Sequence, residues 1–436
     1  MSIGPSYIDD AWEALASDAV VVHPERCTKV RNRNTKCLKC ADACTSGCIS
    51  FEEGELVLDL SRCVGCGTCA TVCPTCALEA HNPSDVELKA SCKRVLECER
   101  SAGVEHPEVA VVCSQVKAAL AGLLDEERVV EVVCVGRMDE SLLCELGAAG
   151  VEVVCLYAGA CELCAQRHGL ATAQKVIEST EALYEAWGLH ARVAVSEGLP
   201  FDLLNQGVDH AEAQQVYGAF FAHGCACTPV NEREESAKAE GEEASSSETQ
   251  EGIKQESGAS SERADETHGT GMRFYWESTH SRQVHKNLHV MKDGTLPHFV
   301  PERRNRVLEA LTQLGSPQTH SVSTRLMGTV AIDVEVCSSC RMCAVFCPTG
   351  AIRKFDDADG TIGVLHTPAD CIKCESCYDI CPARAITIQD GVSAEAIIEG
   401  REHRFTMKGR EISLRNNPHQ MLETMKKNIP GDIFER

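Results

Sequence analysis

The sequence predicts two small α+β modules, one near each end, flanking a small parallel α/β domain, with a disordered acidic linker between the halves. Three observations lead there. Cysteines gather in two dense groups, β-branched runs alternate with helical stretches between them, and one long segment is too polar to build a core. The 436 residues suffice for two to four domains. They carry 28 cysteines but only 15 prolines and 3 tryptophans, more thiol than ordinary packing uses. A formal net charge of -23 removes the positive field that draws proteins to nucleic acid or anionic membranes.

So many thiols mean either disulfides in an oxidising compartment or metal ligands in a reducing one. Residues 1–22 hold no cationic leader, and Asp9, Asp10, Glu13 and Asp18 interrupt their apolar positions, so no secretory or twin-arginine signal is read. No run of apolar residues is long enough to span a bilayer. The expectation is a cytoplasmic, metal-loaded chain.

The C-terminal module is predicted at residues 327–392. It reads Cys337-x2-Cys340-x2-Cys343-x3-Cys347-Pro348, then Cys371-x2-Cys374-x2-Cys377-x3-Cys381-Pro382. Three closely spaced thiolates cap three corners of an iron–sulfur cube, and the fourth cysteine, before proline, serves the other cube. Cys337, Cys340, Cys343 and Cys381 then hold one [4Fe-4S] cluster, and Cys371, Cys374, Cys377 and Cys347 the second. Zinc also binds paired C-x2-C knuckles, but a knuckle uses two cysteines, not three crowded together. The pattern resembles the bacterial two-cluster ferredoxin, which implies α+β two-cluster ferredoxin modules at both ends.

The N-terminal module is predicted at residues 23–83. Cys63-x2-Cys66-x2-Cys69-x3-Cys73-Pro74 repeats the motif, with Gly65 and Gly67 allowing tight turns. Its companion departs from the pattern. Cys37-x2-Cys40-x3-Cys44-x3-Cys48 has one extra residue, and Ile49 stands where proline is expected. Crossing assigns Cys37, Cys40, Cys44 and Cys73 to one cluster and Cys63, Cys66, Cys69 and Cys48 to its neighbour, with Cys27 or Cys76 as possible substitutes. The total is four [4Fe-4S] clusters. Apolar residues after each motif, such as Ile49, Phe51, Leu78, Ile352 and Ile386, start short strands that keep water away.

Between the modules, residues 231–271 hold 12 acidic and 4 basic residues and a single large aliphatic, Ile253. Such a stretch cannot offset its ordering entropy, so it reads as a disordered linker, able to let the C-terminal module swing or merely to space it. Residues 107–205 read as the α/β domain. Its strands end near Cys113, Val135, Tyr157 and Val195, with helices over 114–128 and 138–150, where Gly147 and Gly150 are stop signals. A further helix is expected around 211–222. Residues 272–326 read as a connecting helical segment, in which Pro301-Glu302-Arg303-Arg304-Asn305-Arg306 either docks an acidic partner or starts a solvated helix.

From Val109 to Asn205 the chain also resembles the delta subunit of methyl-viologen-reducing hydrogenase. The likeness rests on Cys134-Val135-Gly136-Arg137-Met138-Asp139, Gly159-Ala160-Cys161-Glu162, Trp187-Gly188-Leu189 and Ser196-Glu197-Gly198. It implies a [2Fe-2S] cluster and a relay between a hydrogenase and the flavin-bearing subunit of heterodisulfide reductase. Three of the four implied ligands fall on Cys113, Cys134 and Cys161, while the fourth falls on Ala110. Cys164 can replace it, and Cys155 lies one residue from another family cysteine. The alternative is that these are buried apolar cysteines or free thiols. Ligands beyond strand carboxyl ends suit a parallel sheet, and Arg137 either offsets a cluster's charge or is a plain surface arginine. Cys92, Cys98, Cys144, Cys225 and Cys227 read as structural.

No catalytic residues or nucleotide fingerprint emerge. The reading is a polyferredoxin-like electron-transfer subunit whose partners are redox proteins, a hydrogenase or dehydrogenase and a heterodisulfide-reductase-like subunit. Its rivals are an oxidoreductase binding substrate at an open iron–sulfur site in the central domain, and a redox-sensing regulator.

Overall fold

The computed structural model describes residues 19–52, 54–222, 281–283, 290–291 and 293–408. The predicted linker at 231–271, Cys225, Cys227 and the start of the 272–326 segment lie outside the described residues.

Valine-rich β1 (Val20–Val22) opens the N-terminal module and pairs antiparallel with β4 (Leu78–Ala80). Between them lie α1 (Thr28–Arg31), α2 (Lys39–Ala43), the hairpin β2 (Ile49–Glu52) and β3 (Glu55–Asp59), and α3 (Thr68–Val72). Val20, Val30, Ile49, Leu56, Leu58 and Leu78 form the core together with cysteines, which pack here as apolar groups.

The next helix, α4 (Asp85–Ser101), starts at a capping box in which Ser84 and Glu87 satisfy each other's backbone N–H groups. The central domain follows: β5 (Glu108–Cys113), α5 (Ser114–Ala119), β6 (Val129–Val132), α6 (Glu140–Ala148), β7 (Val153–Tyr157), α7 (His168–Trp187), β8 (Arg192–Ser196) and α8 (His210–Ala222). The four strands are all parallel, in the order β6-β5-β7-β8, as unbroken apolar runs suggest. The helix expected over 114–128 is shorter because Gly122 takes a left-handed conformation (φ 78°) and the chain turns. Gly147 is no stop signal. It lies inside α6 where a Cβ would sit 3.0 Å from Tyr184 of α7 and 2.7 Å from Leu189 just beyond that helix.

After the undescribed stretch, β9 (Ser281–Gln283) adds a third strand beside β3 of the N-terminal module. Next come α9 (Glu302–Leu314), β10 (Ser321–Ser323), β11 (Thr329–Ile332), α10 (Met342–Val345), the hairpin β12 (Ile352–Asp356) and β13 (Ile362–His366), and α11 (Ser376–Asp379). The chain finishes with β14 (Ile386–Gln389), β15 (Gly391–Ser393), α12 (Ala394–Glu399) and β16 (His403–Met407). The outer pair β11/β14 and inner hairpin β12/β13 repeat the N-terminal topology, and β16 supplies the third strand. This sheet therefore extends past residue 392, the expected end of the module.

The C-terminal half does not swing free. Val307, Ala310 and Leu311 of α9, with Val322, Val392 and Ile397, belong to the core of the central domain. The basic run at the start of α9 is neither a docking patch nor a solvated face, because Arg303, Arg304 and Arg306 are all buried. Arg303 donates to the carbonyls of Ala70, Thr71 and Cys73 in the N-terminal module. Arg304 donates to those of Pro368 and Ala369 in the C-terminal module. Arg306 pairs with Glu145 (2.9 Å) and Asp85 (3.0 Å) of the central part. One helix start thus clasps three bodies.

Candidate iron-sulfur sites

In the C-terminal module the thiols converge in the crossed arrangement. A small cavity is lined by Cys337, Cys340, Cys343 and Cys381, walled by Ile332 and Ile386. A second is lined by Cys371, Cys374, Cys377 and Cys347, walled by Val330, Ile352 and Ile388. Burial pushes the thiols of Cys343 and Cys377 up, and neighbouring cysteines add to it. Such thiols give up their protons only to a strong positive charge, which iron provides.

The loops explain how three thiols reach one cavity. The residues on either side of the middle cysteine are left-handed in each: Ser339 (φ 56°) and Arg341 (53°), Lys373 (48°) and Glu375 (65°), Gly65 (67°) and Gly67 (72°). Left-handed turns aim successive N–H groups to one side, a concavity suited to an anion. Backbone N–H groups also reach sulfur, from Ser339 to Cys337 (3.4 Å), Ala385 to Cys381 (3.3 Å) and Ala77 to Cys73 (3.3 Å). At Gly67 a side chain is excluded twice, by the left-handed φ and because its Cβ would sit 2.4 Å from Cδ of Arg137.

A third cavity lies in the N-terminal module, and its cysteines are Cys27, Cys37, Cys40 and Cys73. The expected set had Cys44 in place of Cys27. Cys44 lies instead with its Sγ 3.4 Å from that of Cys48, in a group with Cys63, Cys66 and Cys69 whose charges act on one another. Backbone conformation identifies the equivalent positions. The residue three after Cys73, Cys347 and Cys381 is left-handed (Cys76, Gly350, Arg384), and so is Gly47, three after Cys44. Cys44 is thus the counterpart of the cysteine that crosses over, and Cys27-x9-Cys37-x2-Cys40-x3-Cys44 is the repeated motif with α1 inserted. Hydrogen bonds with Cys44 and Cys63 push the Cys48 thiol up, while both partners are pulled down. Cys76 is engaged elsewhere: its Sγ accepts from Arg303 at 3.3 Å.

Four thiols around each cavity suit a cube, which offers one iron to each. Among the described residues, no three His, Cys, Asp or Glu side chains are grouped tightly enough for a single ion.

In the central domain, Cys113 ends β5, Cys134 follows β6 and Cys161 follows β7, all at the carboxyl edge of the sheet. Burial raises Cys161 to about 11, with Cys113 contributing. Cys134 is raised by burial and then by Cys66, Cys113 and Cys161. Cys164 engages Gln166, its Sγ 2.8 Å from Oε1 and accepting from the backbone N at 3.3 Å. Cys155 sits mid-strand, hydrogen-bonded with Tyr157. Arg137 is not a surface arginine: it is 3% exposed, bonds the Pro83 carbonyl and pairs with Asp85 and Asp139. Cys92 and Cys144 are buried in the core, and Cys98 is half-buried.

The groups follow one another through the molecule. Cys377 feels the charge of Cys343, and Cys40 that of Cys69. The two modules meet where Thr35 Oγ1 lies 3.4 Å from Ser376 Oγ and Lys36 N donates to Asp379 (2.8 Å). At the other end, the Cys66 loop meets the Cys134 loop, where Thr71 Oγ1 donates to the Arg137 carbonyl (3.0 Å) and a Cβ on Gly136 would meet Thr68 Oγ1 at 2.9 Å.

Residues 336–385 match the 4Fe-4S dicluster domain family, and residues 56–79 the 4Fe-4S binding domain family. The chain is therefore an iron–sulfur protein with ferredoxin-type 4Fe-4S domains at both ends, an arrangement that supports electron transfer. No curated protein and no solved structure matches it. Among the described residues, no helix is long and apolar enough to cross a membrane.

Proposed function

We propose that this chain relays single electrons through four [4Fe-4S] clusters in series. One cluster is held by Cys337, Cys340, Cys343 and Cys381, the next by Cys347, Cys371, Cys374 and Cys377. The third takes Cys27, Cys37, Cys40 and Cys73, and the fourth Cys44, Cys63, Cys66 and Cys69. Cys113, Cys134 and Cys161 form a fifth site, with the chemistry to hold a [2Fe-2S] cluster and hand electrons to a partner. Bound clusters supply one-electron storage. The chain's own residues bury the thiols, aim backbone N–H groups at sulfur and fix the order of the sites.

The observation that carries this reading is the unbroken succession of cysteine groups from Cys337 to Cys161. The delta-subunit likeness points to the same partners as before, a hydrogenase or dehydrogenase on one side and a heterodisulfide-reductase-like subunit on the other. Anaerobic reconstitution followed by iron and acid-labile sulfide analysis tests it. About sixteen irons per chain are expected, and about eighteen with the central site filled. Zinc, or fewer than eight irons, overturns it.

One observation favours a second reading, an oxidoreductase with substrate at an open central iron site: three thiols converge there while Cys164 is engaged by Gln166. Electron paramagnetic resonance of Cys134→Ser and Cys161→Ser decides whether these thiols hold metal at all. Loss of one signal with the others intact is expected, and spectra unchanged in both variants exclude them as ligands.

A further inference from the structure

Two cations of the N-terminal module, Arg31 and Lys39, face the C-terminal module at their junction, where Glu375 and Asp379 stand opposite. Arg31 ends α1, the insertion that lengthens the spacing from Cys27 to Cys37. It is 2% exposed and reaches into the C-terminal half, where Nη2 donates to the Pro297 carbonyl (2.9 Å) while Nη1 donates to that of Glu25 (3.0 Å). Residues 296–299 run along the Cys347 loop. Leu296 N donates to the Val345 carbonyl and Phe299 N to that of Pro348, and His298 Nδ1 lies 3.0 Å from the Cys347 carbonyl. The guanidinium is thereby set against Cys347 and Cys374, whose charges act on it ahead of that of Glu25.

Both of its bonds go to neutral carbonyls, and buried Nε has no partner. Burying a full charge among neutral acceptors is costly unless an anion faces it. Lys39 stands beside it in function. It lies between Cys37 and Cys40, borders their cavity, and reaches Glu375 at 3.3 Å, between Cys374 and Cys377. Reduction adds negative charge to a thiolate-bound cube, and a fixed, buried cation such as Arg31 favours the more negative state, with the more exposed Lys39 contributing less.

We propose that Arg31, seconded by Lys39, sets the reduction potential of the site formed by Cys347, Cys371, Cys374 and Cys377 from the neighbouring module, holding it above what its own loop would give and easing electron passage between modules. This rests on the iron–sulfur reading above. The test is a redox titration followed by electron paramagnetic resonance on the reconstituted full chain, with iron content measured alongside. Arg31→Met should shift one cluster's midpoint downward with iron unchanged, Lys39→Met should shift it less, and Arg31→Lys should stay near wild type. Equal shifts in Arg31→Lys and Arg31→Met, or none in Arg31→Met, overturn it. Should Arg31→Met fail to fold, Lys39→Met and Lys39→Glu decide: a graded downward shift supports the proposal and unmoved midpoints overturn it. A wild-type chain that takes up no iron overturns the electron-transfer reading and this one together, whereas intact clusters with fixed midpoints overturn this one alone.

Discussion

Cys27→Ala should cost the chain about four irons, one whole cube, while Cys48→Ala should leave the iron content at the wild-type level. The contrast follows from position. Cys27 lines the same cavity as Cys37, Cys40 and Cys73, and burial raises its thiol to about 12, so it is neither exposed nor placed for any other chemistry. Cys48 stands one residue beyond the left-handed Gly47, where its counterparts in two other loops are Ala77 and Ala385. Those alanines use only their backbone N–H, on Cys73 and Cys381. Iron and sulfide analysis of both variants reconstituted side by side checks this. Full iron in Cys27→Ala with loss in Cys48→Ala would reverse the assignment.

Arg303→Met should destabilise the protein by about 3–5 kcal/mol, the range for removing one partner of a buried charge network. Burial pulls the guanidinium down, but Cys76, Asp139 and Glu140 together hold it above its ordinary value. Burial by itself would raise fully buried Asp139. Arg303, Arg137 and Arg306 outweigh that and hold it at about 2. Asp139 also caps α6, accepting from the N–H groups of Ser141 (2.9 Å) and Leu142 (3.2 Å). Without Arg303, that carboxylate loses its largest counter-charge, and the carbonyls of Ala70, Thr71 and Cys73 each lose one of their donors. Anaerobic thermal melts of the reconstituted chain provide the measurement. A change within about 0.5 kcal/mol, as for an ordinary surface substitution, would show that the clasp contributes nothing.

The C-terminal site was legible because its spacing is regular: two identical motifs, each ending in proline, leave one crossed pairing, and Cys347 and Cys381 sit in the cavities that pairing requires. The parallel sheet was legible from strands apolar on both faces. In the N-terminal module α1 separates Cys27 from Cys37, so the regular count began one cysteine late and grouped Cys44 with Cys37, Cys40 and Cys73, where the cavity has Cys27. One signal was available: Cys44-Thr45-Ser46-Gly47 matches Cys347-Pro348-Thr349-Gly350 in placing glycine three residues on, where the loop turns left-handed. The arginines of α9 were read as solvent-facing because charge suggests exposure. Their acceptors are backbone carbonyls at scattered positions, and no local pattern announces those. The same holds for β9, whose partner β3 is more than two hundred residues away in the chain.

The sites run in space in an order that the chain does not follow. The module made last stands in front of the module made first, against Thr35 to Lys39, and the central domain lies behind both. Domains fold as units as they leave the ribosome, the N-terminal one earliest. The central domain is the exception: Val307, Val322, Val392 and Ile397 complete its core, so it closes only after Cys381 has emerged. A message truncated before Cys337 therefore leaves that core without Val392 and Ile397.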